Sequence, residues 1–236
     1  MATLVSAIET SVRLQLTETT ASFWTSAELV GWIERGIKDL WRSIVDLKQE
    51  HYLTVDATNV SLAADSTTLT GVPSDVHKVY MIEPRDLTTS GSNAGLIFSP
   101  LDYNHDDFQL ARSQSAIDPS NSVIYYAITG QGSPVNAPVI RTAPQVNSQV
   151  LLAFSYVPTL SPIVAGSVVP IPGEADNALI AWTIAWATAK EREDKSPDPN
   201  YLAVYATEKR NLMESLGLRQ YQEPMIVDAV FKEYWS

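Results

Sequence analysis

FWTSAELVGWIERGIKDLWRSIV, residues 23–45, decides the fold. Thr25 and Glu28 have the spacing of a capping box, in which each side chain satisfies a free amide of a helix's first turn. From there Leu29, Ile33, Ile37, Leu40, Ile44 and Leu47 recur at steps of three and four, one continuous apolar stripe. Glu34 and Lys38 stand four apart on the outer side and support the turn between them. The pattern predicts an amphipathic helix over about 26–48. A helix with such a stripe is stable only when other elements bury it.

On its N-terminal side, residues 3–16 place Leu4, Ile8 and Val12 four apart, a second and shorter helix. On its C-terminal side the period changes. Residues 51–173 are poor in charge and rich in Gly, Pro, Ser, Thr and Asn. Runs of β-formers stand between turn clusters: HYLTV, HKVYMI, SVIYYAIT, PVIRT and QVLLAFSYV. Val150, Leu152, Phe154 and Tyr156 alternate as a half-buried strand does. An inserted antiparallel β-subdomain is expected here, with a short helix near Tyr103–Arg112. The stretch TTSGSNAG predicts an exposed loop and TGQGSP a hairpin turn.

Period 3.6 returns after residue 173. The stretch 174–194 is apolar nearly all round from Ala178 to Ala189, with Trp182 and Trp186 four apart, and is expected to be buried on several sides. Asp198 and Pro199 open another helix, expected to stop at Gly217 in a left-handed C-cap. The two helices, joined by KSPDP, are expected to form an antiparallel hairpin against the 26–48 helix. The fold class is therefore α+β, with a helical core from 1–50 and 174–217, a β-rich insert over 51–173 and an extended segment over 218–236.

That last segment, ending EPMIVDAVFKEYWS, carries Tyr221, Met225, Ile226, Val227, Val230, Phe231, Tyr234 and Trp235. No Gly or Pro follows Pro224 to close a fold over so much apolar surface. Docking on a partner or a neighbouring subunit is the expectation, with folding back on the same subunit the alternative.

Composition bounds the function. Apolar residues make up 45% and charged residues 18%, which is globular. The net charge of −11 is spread evenly: 8 acids against 5 bases over 1–56, 8 against 4 over 57–173, and 11 against 7 over 174–236. No basic run could neutralise a series of phosphates, so direct nucleic-acid binding is disfavoured. The absence of cysteine removes disulfides, thiolate metal sites and a cysteine nucleophile. MATLVSAIETSVRLQL lacks the basic start and long apolar run of a signal peptide, and no stretch is long enough for a membrane span.

Neither a catalytic nor a metal constellation is expected, and no cofactor. His51, His77 and His105 have no second ligand at metal spacing. Asp106 and Asp107 of NHDDF are the best metal candidates, but adjacent acids at a helix start point apart and are better explained as solvated. No GxSxG elbow or GK[ST] phosphate loop is present. Tyr125 and Tyr126 remain open as a sugar platform.

Two stretches resemble the head-to-tail adaptor, or connector, proteins of tailed bacteriophages. One is the aromatic-led helix start with its Leu–Trp–Ile stripe, FWTSAELVGWIERGIKDLWRSIV. The other is FSYVPTLSPIVAGSVVPIPGEADNALIAWTIAWATAKERED, a strand ending in Tyr-x-Pro, then a Pro-x-Pro turn into an apolar helix ending in mixed charges. Together they cover about half the chain, and the insert matches nothing specific. The resemblance implies a non-enzymatic virion protein made in the host cytoplasm and placed in the neck between capsid and tail. It further implies a homo-oligomeric ring, commonly a dodecamer, under the portal protein, through which DNA passes without specific binding and on which tail or nozzle proteins dock. Trp182 and Trp186 then become candidates for a subunit interface, and the segment from Tyr221 to Trp235 the arm for the portal or a neighbour. The alternatives are a carbohydrate- or receptor-binding module using the β-insert, and a glycan hydrolase working through paired carboxylates.

Overall fold

The capping box at the start of the decisive helix forms in full: Thr25 Oγ1 accepts from Glu28 N–H, and the Glu28 carboxylate accepts from Thr25 N–H. The computed structural model describes residues 3–18, 22–47, 50–85, 95–131 and 137–220. Within them lie helices α1 (Val5–Gln15), α2 (Ser26–Asp46), α3 (Asp106–Arg112), α4 (Asp176–Glu191) and α5 (Pro199–Gln220). The strands are β1 (Val55–Leu62), β2 (Leu69–Thr70), β3 (Val76–Pro84), β4 (Ile97–Pro100), β5 (Val123–Gln131), β6 (Pro138–Ala143) and β7 (Val150–Pro158). The protein is α+β. The chain divides into a helical unit, Met1–Tyr52 with Leu160–Ser236, and a β-rich unit, Leu53–Thr159.

In the helical unit α2 buries Leu29, Ile33, Ile37, Leu40 and Ile44 completely, while Leu47, at the C-cap, is exposed. Glu34 and Lys38 form the expected ion pair at 2.8 Å. α4 touches α1, α2 and α5, and this explains an apolar surface that runs all round it. α5 turns back along α4, so that Tyr205 meets Trp182. Gly36 lets α4 come close to α2: a Cβ built there would lie 2.9 Å from Trp182 Cδ1 and 3.1 Å from Leu179 Cδ2. Gly36→Ala gains about 1 kcal/mol of helix propensity, but overpacking costs about 1–3 kcal/mol. The indole cannot yield easily, because its Nε1–H donates to Trp32 O at 3.0 Å. Net destabilisation of about 0–2 kcal/mol is expected by urea denaturation, and a stabilised Gly36→Ala protein would contradict this packing.

Four expectations need correction here. First, the last helix does not stop at Gly217 but continues to Gln220. Leu216 is buried and its carbonyl accepts from the Tyr52 hydroxyl, so tertiary packing overrides the local stop signal. Second, residues 160–173 belong to the helical unit rather than to the β-insert. They supply what the start of α1 lacks: Leu4 at the N-cap has no side-chain acceptor, and the first-turn amides of Val5 and Ser6 donate to Ser167 O and Ala165 O, each at 3.0 Å. Leu4 is itself exposed, and α1 buries Val5, Ile8 and Val12. Third, HYLTV is a strand only at its last residue: Glu50–Leu53 form a 3-10 turn, and Val55 opens the strand VDATNVSL.

The fourth concerns the β-rich unit, which is not wholly antiparallel. Its four-stranded sheet has the order β2-β1-β7-β3 with antiparallel pairs throughout. Its three-stranded sheet, β4-β5-β6, pairs β4 with β5 in parallel. Helix α3 lies between those two strands in sequence, and a crossover of this kind is what parallel pairing requires. One core is shared by both sheets: Val60, Ile82, Leu152 and Phe154 from the first, Ile124, Tyr126 and Ile140 from the second. Val150, Leu152, Phe154 and Tyr156 point inward as their alternation predicts. The other face of the small sheet is covered by α3, through Phe108 and Ala111 against Ala127 and Ala143.

Candidate functional site

Trp182 and Trp186 are engaged within their own subunit. Besides its bond to Trp32 O, Trp182 packs 5.0 Å from the Tyr205 ring and 6.1 Å from that of Trp186, centroid to centroid. Tyr205 hydrogen-bonds the Asp39 carboxylate, which also takes Lys209 Nζ at 2.7 Å. Burial and the neighbouring Asp39 charge raise the phenol's pKa. Trp186 Nε1 is buried and finds no acceptor among the described residues. Both indoles keep a half-buried edge toward the surface. Tyr221, Met225, Ile226, Val227, Val230, Phe231, Tyr234 and Trp235 lie outside the described residues.

The start of α2 is fastened to α1 and α4 by buried and half-buried polar groups that the linear sequence does not reveal. Arg13, 8% exposed, donates from Nε and Nη2 to Glu9 Oε1 at 3.0 and 2.8 Å and from Nη1 to Trp24 O at 3.0 Å. Trp24 Nε1 donates to Ala187 O, and Lys190 Nζ reaches Glu28 Oε2 at 2.8 Å. Hydrogen bonds from the Ser22 hydroxyl and the Phe23 amide hold the Glu18 carboxyl at about 2, below the usual 4.5. Lys190 and Thr25 do the same for Glu28, also at about 2. A carboxylate whose pKa falls on folding stabilises above its unfolded value, and that stabilisation disappears as pH drops through the folded value. The helical unit is therefore expected to hold a constant melting temperature down to about pH 5 and to lose stability between about 4.5 and 2. Tryptophan fluorescence against pH checks this, and a loss complete before pH 4.5 would contradict it.

His105 is the N-cap of α3, its Nδ1 accepting from Asp107 N–H at 3.2 Å, and Asp106 and Asp107 form the exposed first turn. Tyr125 and Tyr126 point to opposite faces of β5: Tyr126 is buried in the common core and Tyr125 packs under α3. They make no open sugar platform. Two clefts of about 530 Å³ each adjoin instead at the end of β5, with Leu101, Asp102, Ala127 and Ile128 as their common wall. Sequence reading missed them, because their linings come from four strands and a loop.

The model of one family, the SU10 adaptor protein, matches residues 2–228. The chain belongs to that family. It is a phage adaptor protein, a structural component of the virion, and the resemblance carried by the two ends of the sequence holds across the insert as well. No curated protein matches the chain.

Proposed function

We propose that this adaptor forms a ring, a dodecamer, beneath the portal protein in the neck of the virion. The ring prolongs the DNA channel and presents a docking surface to tail or nozzle proteins. The observation that carries this reading is the adaptor-family match over residues 2–228. Charge supports it: acids outnumber bases in each third of the chain, so a channel wall built from this protein repels DNA phosphates and lets the duplex slide. Segment 221–236 is the arm that fastens each subunit to the portal or to a neighbour. The half-buried edges of Trp182 and Trp186 are the proposed contact between ring subunits.

Electron microscopy of the protein mixed with the portal protein of the same particle tests the proposal. A second ring, coaxial with the portal and with an open central channel, is expected. Unchanged portal rings beside free adaptor, at concentrations well above micromolar, would overturn it.

A further inference from the structure

We propose that the cleft beside Arg141 is a docking site for an acidic peptide segment of a partner protein, its carboxylate paired with the guanidinium. This goes beyond the ring and does not depend on it. Arg141 stands on β6 opposite Ala127 of β5, on the face of the small sheet turned away from the common core. α3 covers that face over Ala127 and Ala143, and the sheet beyond it is open at Thr129 and Arg141. Among the described residues the half-buried Arg141 guanidinium makes no hydrogen bond and no ion pair. A cation held in a concave site without a partner is prepared for an anion, and a carboxylate matches its planar fork with two parallel bonds.

The charge around the cleft points the same way. The β-rich unit has 9 acids and only 4 Lys and Arg residues. Arg141 lines one cleft and Lys78 the other, and Arg112 lies 5.6 Å over the ring of Tyr103, which lines the first. The fourth cation, Arg85, is bonded to Thr58 O. Asp102 is the acid in the common wall, and its Oδ1 is occupied by Asn104 N–H at 2.9 Å. Three of the four cations of this unit thus lie on or beside the two clefts.

The second cleft selects a peptide over a carboxylated sugar. Val79, Pro100, Leu101, Ala127 and Ile128 line it beside His77, with Ile128 54% exposed, and its one tyrosine, Tyr126, is buried and offers no open ring face for a sugar to stack on. Those walls suit an aliphatic side chain one or two residues from the acid.

The full-length protein, labelled for amide NMR, is titrated with N-acetyl-Leu-Glu-Leu-amide, its Gln counterpart, and the methyl glycoside of N-acetylneuraminic acid. The Glu peptide is expected to shift the amides of 101–104 and 127–129 and the Arg141 side-chain resonance. The Gln peptide should bind about tenfold more weakly or worse, the loss of one charge-assisted bond. Arg141→Gln should abolish the preference for Glu, and Arg141→Lys should restore part of it. Ile128→Ala should weaken both peptides equally. Equal binding of the two peptides, shifts mapping elsewhere, an unchanged Arg141→Gln protein, no binding at millimolar peptide, or a preference for the sugar would each overturn the assignment. Self-association competed away by the Glu peptide would place the acidic segment on a second copy and supports the site.

Discussion

Replacing Arg13 by glutamine should destabilise the helical unit by about 3–5 kcal/mol, the cost of breaking a buried ion pair from one side. Arg13 is the only cation bonded to Glu9 among the described residues, and Glu9 is itself only 9% exposed. The substitution leaves that carboxylate with the Ser26 hydroxyl, 2.7 Å away, and takes a donor from Trp24 O. For a chain of this size about 1 kcal/mol corresponds to roughly 2–4 °C, so the melting temperature should drop by roughly 6–20 °C. The reporter is built in. Trp24, Trp32, Trp41, Trp182 and Trp186 all lie in the helical unit and the β-rich unit, Leu53–Thr159, has no tryptophan, so tryptophan fluorescence reports on the helical unit without a signal from the β-rich one. Arg13→Leu combined with Glu9→Leu should recover most of the loss, since a buried pair exchanged for apolar groups is often nearly neutral. A single Arg13→Gln costing under about 1 kcal/mol would show that the cation does not hold α1 to α2.

The Arg13 cluster also marks the limit of what the sequence discloses. α2 was legible because its signals are local: a capping box and a stripe whose members are within a turn of each other. β7 was legible because its alternation meets a buried face on one side. β1 was not, since VDATNVSL is polar and is made a strand by β7, through contacts such as Asp56 to Ser155 that span 99 residues. The parallel pairing of β4 was hidden in a strand of 4 residues ending in proline, whose direction is set by the α3 crossover. Gly217 misled for the converse reason: its local signal is genuine, but the burial of Leu216 outweighs it. The same distinction applies to function. The motifs at the two ends pointed to an adaptor, whereas the Arg141 cleft exists only once β5 brings residues 101–104 and 141 together.

Deleting residues 222–236 is expected to leave a folded, soluble protein that no longer joins the portal. The proposed arm carries Met225, Ile226, Val227, Val230, Phe231, Tyr234 and Trp235. Burying a large apolar side chain contributes about 1.5–3 kcal/mol, so the 7 residues together contribute roughly 10–20 kcal/mol at most. Ordering a 15-residue backbone costs about 1–2 kcal/mol per residue, which is of the same size. A single arm should therefore bind weakly, and the isolated peptide 222–236 is expected to show no better than micromolar affinity for the portal. In the proposed ring, strength would come from number: with one subunit seated, the other arms would engage at high effective concentration and hold the assembly far more tightly than any one contact. Co-sedimentation of portal with intact and truncated protein reads the effect, with complete loss expected for the truncated chain. Truncated protein that unfolds or aggregates would show that the segment belongs to its own core. Truncated protein that still assembles would move the attachment elsewhere, first to the half-buried Trp182 and Trp186, where Trp186→Ala would then be the variant that dissociates the proposed ring.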